Sequence, residues 1–540
     1  MFRSIVDALI VLGGWLLSTA HAATPALWNP AEGMVLKGKI VTLNDAGTVL
    51  SEGYLFIRNV RIEAIAQTRR DLPQDAKKAI FVDTGGVIYP GLIDLHNHPE
   101  YAIYPLLPIT RKYRDRYEWR YYDDDYNKRI TFPQLMMTGA QYFDLGLEVG
   151  RYGEYKALAG GTTTLQGARP LLPYAKEECL VRNIETSLVS SRMAFSRVDM
   201  GRDAEEWKKI QEEKNRGLLV LHLAEGPSPR MADEFRAIKA SGLLGPELIV
   251  IHGIGLNEVH FKEMAAAGAK LVWSPLSNFM LYGKTADIDA VRRAGLPISL
   301  APDWAPSGSK SVLGELKVAD LVNKNQLKTP FTDHELVEMV TRNPARALGW
   351  QDRVGQIAPG FLADLIVIDE RKSDPYRNLI EAIEENLRLV VVRGEPLYGD
   401  RVLLQRVRDA GDIETVTTFG GTREKVLAPN CPGTALPVMR LAETRGRLQQ
   451  ALNFDSAYVA KKVSLEQFVR DLLICGDSKP ADPPTSADAQ RFLTCRYGLP
   501  FEETKLSPLT TNDDTDFFSR FMANPNLPAY LKQLPAYYHK

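Results

Sequence analysis

The residues with the most evident chemistry are two histidines at the end of an apolar run. Residues 87–100 read VIYPGLIDLHNHPE and place His96 and His98 two positions apart. The mostly apolar run predicts a strand that is covered on both faces, and residues i and i+2 of a strand point to the same side. Two imidazoles at this spacing can converge on one cation at roughly 2.0–2.1 Å. The motif therefore predicts metal ligands at the end of a buried strand.

Further candidate ligands also follow apolar, strand-like segments. GLLVLHLAE contains His222 with Glu225 three residues later, LIVIHGIGL contains His252, and LPISLAPDW contains Asp303. A hydrolytic site of the zinc type needs nitrogen and oxygen donors, an open position for water and a carboxylate that moves protons. These segments supply that set, so we expect their ends to form one site.

The order of the predicted elements explains how these ends would meet. From Val87 to about Trp350 strands alternate with helices, which is typical of a parallel sheet. In a (β/α)8 barrel the chemistry lies at the carboxyl ends of the strands. We expect seven clear strands, including a third at 183–190, and the stretch 170–217 is short for two complete units, so the barrel is expected to be distorted there. The aromatic-rich segment between His98 and Gly150 is either a surface loop or a lid over the barrel mouth.

Short β-like runs separated by turns lie on both sides of this central region, at 34–82 and 355–400. The predicted fold is therefore α/β, a distorted TIM (β/α)8 barrel with a split β-sandwich and a C-terminal accessory region. The expected domains are a signal peptide 1–22, the first sandwich part 23–86, the barrel 87–354, the second sandwich part 355–402 and a largely helical accessory region 403–540.

Composition and the N-terminus indicate the compartment. The chain has 540 residues, 45% hydrophobic and 25% charged, which is typical of a soluble protein with more than one domain. Its net charge of −1 gives no electrostatic reason to expect nucleic acid or an anionic membrane surface as a partner. Arg3, an apolar run and Ala20-His21-Ala22 predict a cleaved export signal, with an uncleaved anchor as the alternative. We expect a periplasmic or secreted protein without stable membrane insertion.

The chain contains four cysteines, too few for a disulfide scaffold and wrongly spaced for a zinc knuckle. In an oxidising compartment Cys475 and Cys495 are the expected pair, because they flank a proline-rich loop within one small unit.

The motifs, taken in order, resemble the metal-dependent amidohydrolase superfamily, and more closely its deaminase and chlorohydrolase branch. The resemblance covers about residues 34–400 and rests on PGLIDLHNH, GGTTT at 160–164, HLAE at 222–225, HGIGL at 252–256, SPLSN at 274–278, Asp303, TRNPARALG at 341–349 and GFLADLIVID at 360–369. It implies that one divalent metal, zinc before iron, is bound by His96, His98, His222 and Asp303. It also implies that Glu225 and His252 flank the water and the substrate.

This resemblance, with the residue types, predicts hydrolysis of a non-peptide C–N bond in an amide, a lactam or an aminated heterocycle. Asp303 would accept the proton of the activated water, His252 would hold the hydroxide or polarise the attacked C=O or C=N group, and Glu225 would deliver a proton to nitrogen. Two alternatives stay open. One is a binuclear, dipeptidase-like amidohydrolase in which Glu185 bridges two metals, and the other is a barrel that binds a ligand without turnover.

Four residues are candidates for substrate binding. Arg169 would hold a substrate carboxylate or form a salt bridge on the barrel rim, Asn278 and Tyr282 would line the pocket, and Trp304 follows Asp303 at the barrel mouth. The family usually has a small or polar run after the aspartate, and a histidine where this chain has Trp273, which argues against an ordinary nucleobase. We expect a small-molecule substrate; its identity and a homo-oligomeric state are left open.

Overall fold

The computed structural model describes residues 29–538 apart from 168–178, 188, 191–192, 202, 417, 419–422, 432–436 and 498–503. The predicted signal peptide 1–22 and Arg169 lie outside the described residues. None of the described helices is long and apolar enough to cross a membrane.

The strands of the described residues fall into three sheets. Their bounds are β1 Met34–Val41, β2 Val49–Arg58, β3 Arg61–Ala66, β4 Ile80–Pro90, β5 Leu92–Asp94, β6 Thr162–Leu165, β7 Arg182–Asn183, β8 Met193–Arg197, β9 Gly217–Leu223, β10 Leu248–His252, β11 Lys270–Trp273, β12 Ile298–Leu300, β13 Leu365–Ile368, β14 Leu387–Val392, β15 Glu395–Asp400, β16 Glu414–Val416 and β17 Lys425–Leu427.

The α-helices connect and flank these strands. Their bounds are α1 Arg116–Tyr122, α2 Asp124–Tyr126, α3 Phe132–Thr138, α4 Gly146–Ala159, α5 Ala204–Arg216, α6 Met231–Ala240, α7 Glu258–Ala266, α8 Pro275–Tyr282, α9 Ile288–Arg293, α10 Val312–Asn325, α11 Asp333–Glu338, α12 Arg342–Ala347, α13 Pro375–Glu381, α14 Arg401–Leu404, α15 Leu441–Leu452, α16 Ser456–Lys462, α17 Leu465–Ile474, α18 Ser486–Tyr497 and α19 Phe517–Ala523.

The central strands are parallel, as the sequence predicts. A five-stranded sheet has the order β12-β11-β10-β9-β8, and a three-stranded sheet has the order β5-β6-β7. Strands β9 and β10 are buried at every position, which explains their continuous apolar sequences. An isolated parallel bridge between Asn97 and Asp303 connects the chain after β5 to the chain after β12.

The stretch between β6 and β9 differs from the sequence prediction. The third strand expected at 183–190 is only the two-residue β7, and a further strand, β8, follows it. Strand β8 reads MAFSR and is partly exposed, so it lacks the apolar run by which the other central strands are recognised.

The outer segments pair with each other in a nine-stranded mixed sheet of order β16-β17-β15-β14-β13-β4-β1-β2-β3. Strand β4 pairs in parallel with β1 and antiparallel with β13, so it joins the early segment to the late one. The sheet extends past both boundaries drawn from the sequence: β4 crosses residue 86, and β16 and β17 follow residue 402. The last two strands have three residues each, too few to produce a recognisable period.

The C-terminal region packs against the segment that follows His98. The backbone N–H of Ser507 donates to the carbonyl of Ile103 (2.9 Å), and Arg520 donates to the carbonyl of Leu106 (2.8 Å). Two disulfides restrain the chain. The predicted pair Cys475–Cys495 is confirmed, with Cα atoms 5.9 Å apart, and Cys179 is joined to Cys431, which the sequence analysis did not foresee.

Candidate active site

Three histidines and an aspartate meet at the carboxyl ends of the parallel strands. His96 and His98 follow β5, His222 lies within β9, and Asp303 follows β12. One ligand atom from each of these residues lies within 4.8 Å of the others. His96 Nε2 is 2.9 Å from Asp303 Oδ1, and His98 Nε2 is 3.2 Å from His222 Nε2. The structure therefore brings together the four residues that the resemblance implies as ligands.

Backbone hydrogen bonds hold the two ligand segments against each other. The N–H of Asp303 donates to the carbonyl of His96 (3.2 Å), and the N–H of His98 donates to the carbonyl of Asp303 (3.3 Å). Asp303 and His252 both have positive φ, +70° and +71°. This left-handed conformation costs a non-glycine residue about 1 kcal/mol or more, and such residues cluster at functional sites. The surrounding fold thus maintains a backbone that aims both side chains.

The donor set fits one divalent cation. His96 is fully buried, and its Nε2, although 2.9 Å from Asp303 Oδ1, makes no hydrogen bond of acceptable geometry with a described residue. His222 Nδ1 lies 3.0 Å from the carbonyl of Arg197, so Nδ1–H is the donor and Nε2 presents a lone pair toward His98. Burial lowers the pKa of His96 to about 4, which keeps the imidazole in its neutral, metal-binding form. Three ring nitrogens and a carboxylate match the ligand preference of zinc.

Glu225 and His252 lie beside the four ligands and contact each other. His252 Nε2 is 3.6 Å from Glu225 Oε2 and 4.0 Å from Asp303 Oδ2. The Tyr282 hydroxyl donates to Glu225 Oε1 (2.6 Å), and Asn278 Oδ1 lies 2.9 Å from His252 Nδ1. Asn278 and Tyr282, which were expected to line the pocket, are not among the described residues that line the cavity. Asn278 contacts His252, and Tyr282 contacts Glu225. Their structural position orients these two side chains.

The carboxyl groups of the site differ in their electrostatics. Burial raises the pKa of Glu225 above its ordinary value, which favours a protonated carboxyl group. Burial also disfavours the charge of Asp303, but the neighbouring histidines, His96 first and then His252 and His98, together outweigh it and hold the pKa of Asp303 below its usual range. The Ser277 hydroxyl donates to Asp303 Oδ2 at 2.7 Å. One site therefore contains a carboxyl group that can give a proton and a carboxylate that can accept one.

A cavity opens onto this cluster. His98, His222, Glu225, His252, Asp303 and Trp304 line it, together with Val198 and with six further residues that the sequence did not single out: Glu100, Tyr101, Arg116, Trp119, Arg120 and Tyr126.

These six residues belong to the aromatic-rich segment after His98. The aromatic-rich composition of that segment was the feature of the sequence that could have indicated a role at the cavity, since aromatic residues bury much area at little entropic cost. The segment lines one side of the cavity, and it is held there partly by its contacts with the end of β9. Arg116 is 1% exposed, pairs with Glu234 (3.1 Å) and donates to the carbonyl of His222 (3.2 Å).

Glu185, the residue considered as a bridge between two metals, has other partners. Its Oε1 accepts from Gln166 Nε2 (3.0 Å), Ser196 Oγ (2.7 Å) and the N–H of Gly167 (2.9 Å). Within the part of the chain that the structure describes, the group of convergent metal-ligand atoms does not include it.

Comparisons with known proteins agree with this geometry. Residues 205–397 match the model of the amidohydrolase family. The chain is 24% identical over 421 residues to a 5-methylthioadenosine/S-adenosylhomocysteine deaminase of Syntrophobacter fumaroxidans, covering 69% of this chain and 94% of that protein.

Solved structures share the fold at lower identity. A mutant of atrazine chlorohydrolase from Arthrobacter aurescens, complexed with zinc and atraton, has a TM-score of 0.55 at 18% identity and covers 67% of this chain and 95% of its own. An adenosine deaminase from Xanthomonas campestris with bound zinc has a TM-score of 0.56 at 17% identity, covering 77% and 97%.

The chain is thus similar to the metal-dependent amidohydrolase superfamily in its family match, and to deaminases over most of its length. It is a metal-dependent hydrolase of C–N bonds other than peptide bonds. The predicted enzyme class is thereby confirmed.

Proposed function

We propose that the protein is a mononuclear hydrolase that replaces an exocyclic nitrogen substituent of a planar heterocycle, or opens a related amide or lactam, by water. The observation that carries the proposal is the convergence of four metal-ligand atoms within 4.8 Å beside a protonatable Glu225. The deaminase relatives, named for methylthioadenosine and S-adenosylhomocysteine, support a nitrogen leaving group.

His96, His98, His222 and Asp303 would hold the cation, which when bound supplies a Lewis acid that acidifies water. Asp303 accepts the proton through Oδ2, the oxygen to which Ser277 donates. His252 donates from Nδ1–H to Asn278 Oδ1 and presents the lone pair of Nε2 to the site, where it can hold the attacking water by accepting a hydrogen bond from it. Glu225 gives its proton to the departing nitrogen, while Tyr282 keeps its carboxyl group in position.

We also propose that the eight parallel strands β5 to β12 form one distorted (β/α)8 barrel. The bridge between Asn97 and Asp303 supports closure on one side. On the other, the two sheets end at β7 and at β8, the stretch in which the distortion is expected. The nine-stranded sheet is then the split β unit, and the helices after residue 440 are the accessory region.

Export from the cytoplasm is part of the same proposal. The pattern of residues 1–22 supports it. Two disulfides, Cys179–Cys431 and Cys475–Cys495, also support it, because disulfides persist in oxidising compartments.

Metal analysis and turnover test the proposed function together. The purified protein is expected to hold about one zinc or iron per chain and to hydrolyse a member of a panel of amides, lactams and aminated heterocycles. Glu225→Gln keeps the metal and loses turnover, whereas His98→Ala loses both. His334→Gln, which changes a histidine away from the site, is the control. Two metals per chain would favour the binuclear alternative, and a metal-loaded protein without turnover would refute the hydrolase.

A further inference from the structure

Four aromatic side chains form a continuous wall of the cavity. Trp119 stacks on Trp304 with ring centroids 5.5 Å apart, Tyr101 meets Trp304 edge-on at 5.3 Å, and Tyr126 meets Trp119 edge-on at 5.0 Å. All four line the cavity. Aromatic faces attract both planar rings and cations, because the face of the ring carries negative electrostatic potential.

Glu100 lines the same cavity and has hydrogen-bonding capacity to spare. Its side chain is 16% exposed, and Oε1 is 3.7 Å from His98 Nδ1, too far for a good hydrogen bond. Oε2 has no hydrogen-bond partner among the described residues. A shielded carboxylate oxygen without a donor is costly, so a ligand that supplies a donor stabilises it.

The two arginines that line the cavity are neutralised by acids outside its lining. Arg116 pairs with Glu234 at 3.1 Å, and Arg120 pairs with Asp199 at 2.8 Å. Asp303 is engaged with the histidine cluster, and Glu225 accepts from Tyr282. Among the described residues that line the cavity, Glu100 is therefore the charged group that remains for the substrate.

We propose that this cavity selects a planar substrate that carries a protonated nitrogen group of the amine, amidine or guanidine type. Glu100 accepts a hydrogen bond from that group while the aromatic wall covers the ring. The inference rests on the proposed function and names its substrate class. Substrates with a carboxylate or phosphate at this end are disfavoured, because their negative charge would face the Glu100 carboxylate.

Three planar probes of nearly equal shape test the charge preference: benzamidine, which is a cation at neutral pH, benzamide and benzoate. Their affinities are measured by titration calorimetry on the metal-loaded full chain and on three variants, Glu100→Gln, Glu100→Asp and Asp124→Asn. Asp124 is exposed on the same segment and does not line the cavity, so it controls for the loss of one negative charge. Metal content and circular dichroism are measured for every variant.

The wild type is expected to bind benzamidine at least about tenfold more tightly than benzoate, because a hydrogen bond to a charged group is worth about 1.5 kcal/mol or more. Glu100→Gln weakens benzamidine by about tenfold and changes benzamide by less than about threefold. Glu100→Asp, which keeps the charge on a shorter side chain, is intermediate, and Asp124→Asn matches the wild type.

Equal losses for all three probes together with a lower metal content would overturn the proposal, because Glu100 would then only orient His98. Benzoate binding as tightly as benzamidine in the wild type would also overturn it. Turnover is followed on the same preparations. A substrate hydrolysed without charge preference refutes the substrate class alone, whereas charge-selective binding without turnover of any C–N substrate refutes the proposed function alone.

Discussion

Replacing Tyr282 with phenylalanine removes the hydroxyl that connects Glu225 to the segment covering the cavity. That hydroxyl donates to Glu225 Oε1 at 2.6 Å and accepts from Trp119 Nε1 at 2.8 Å. The ring is buried, and phenylalanine fills nearly the same space, so the packing of α8 is expected to survive. The substitution therefore isolates the hydrogen bonds.

The size of the effect follows from the group that accepts the bond. A hydrogen bond to a charged or ionisable partner contributes about 1.5–3 kcal/mol, which corresponds to about a 10- to 150-fold loss of kcat/KM when it positions a reacting group. The same bond opposes the rise in the pKa of Glu225 that burial causes. Its loss raises that pKa further, so the limb of the pH profile on which Glu225 must stay protonated moves to higher pH.

The assay is the pH profile of kcat/KM from about pH 5 to 9 on the best substrate of the panel. Tyr104→Phe is the matched control, since Tyr104 is equally buried and its hydroxyl has no hydrogen-bond partner among the described residues. If Tyr282→Phe stays within about threefold of this control and its pH limb does not move, Tyr282 only fills space. The assignment of Glu225 as the proton donor would then lose its structural support.

Three further predictions concern stability. Burial raises the pKa of Glu315 to about 8, above its ordinary value in the unfolded chain, so its contribution to stability is complete below that ordinary value and is lost as the pH rises through about 8. As the pH rises over this window, the Tm of the wild type should fall relative to the Tm of Glu315→Gln, and parallel curves of Tm against pH would contradict this. Asp514→Asn leaves Lys310 without its carboxylate partner at 2.7 Å and should destabilise the fold by about 3 kcal/mol, measured as a lower Tm. Glu466→Gln, at an exposed ion pair, is the control and should leave the Tm unchanged, and an unchanged Tm for Asp514→Asn would show that the buried pair is dispensable. Chelation should lower the Tm of the wild type but not of His98→Ala, because only a protein that binds the cation gains stability from it; equal shifts in both would argue against the site.

Local sequence was sufficient for the elements with a strong pattern. Buried parallel strands must be apolar on both faces, so β9 and β10 are legible as continuous runs that end in His222 and His252. The i, i+2 spacing of His96 and His98 follows from strand geometry alone. For these reasons the α/β class, the parallel strands and the enzyme class were predictable from the chain.

Weak or long-range features required the tertiary structure. Strands β7 and β8 are too short or too polar to show a period. Cys179 and Cys431 are 252 positions apart, and nothing local indicates that they pair. The role of an aromatic-rich segment likewise depends on what it packs against, which composition does not encode.

The chemical inventory of the site thus resided in the sequence, because residue type and strand spacing decide which atoms can bind a metal. The proposed preference of the site for a positively charged substrate depends on the tertiary structure. The packing of the segment after His98 onto the strand ends brings Glu100 to the cavity and sets three aromatic side chains of the wall against Trp304. The same packing pairs Arg116 and Arg120 with the acids that neutralise them. Charge balance in a cavity is a property of neighbours in space, and neighbours in space are set by tertiary packing.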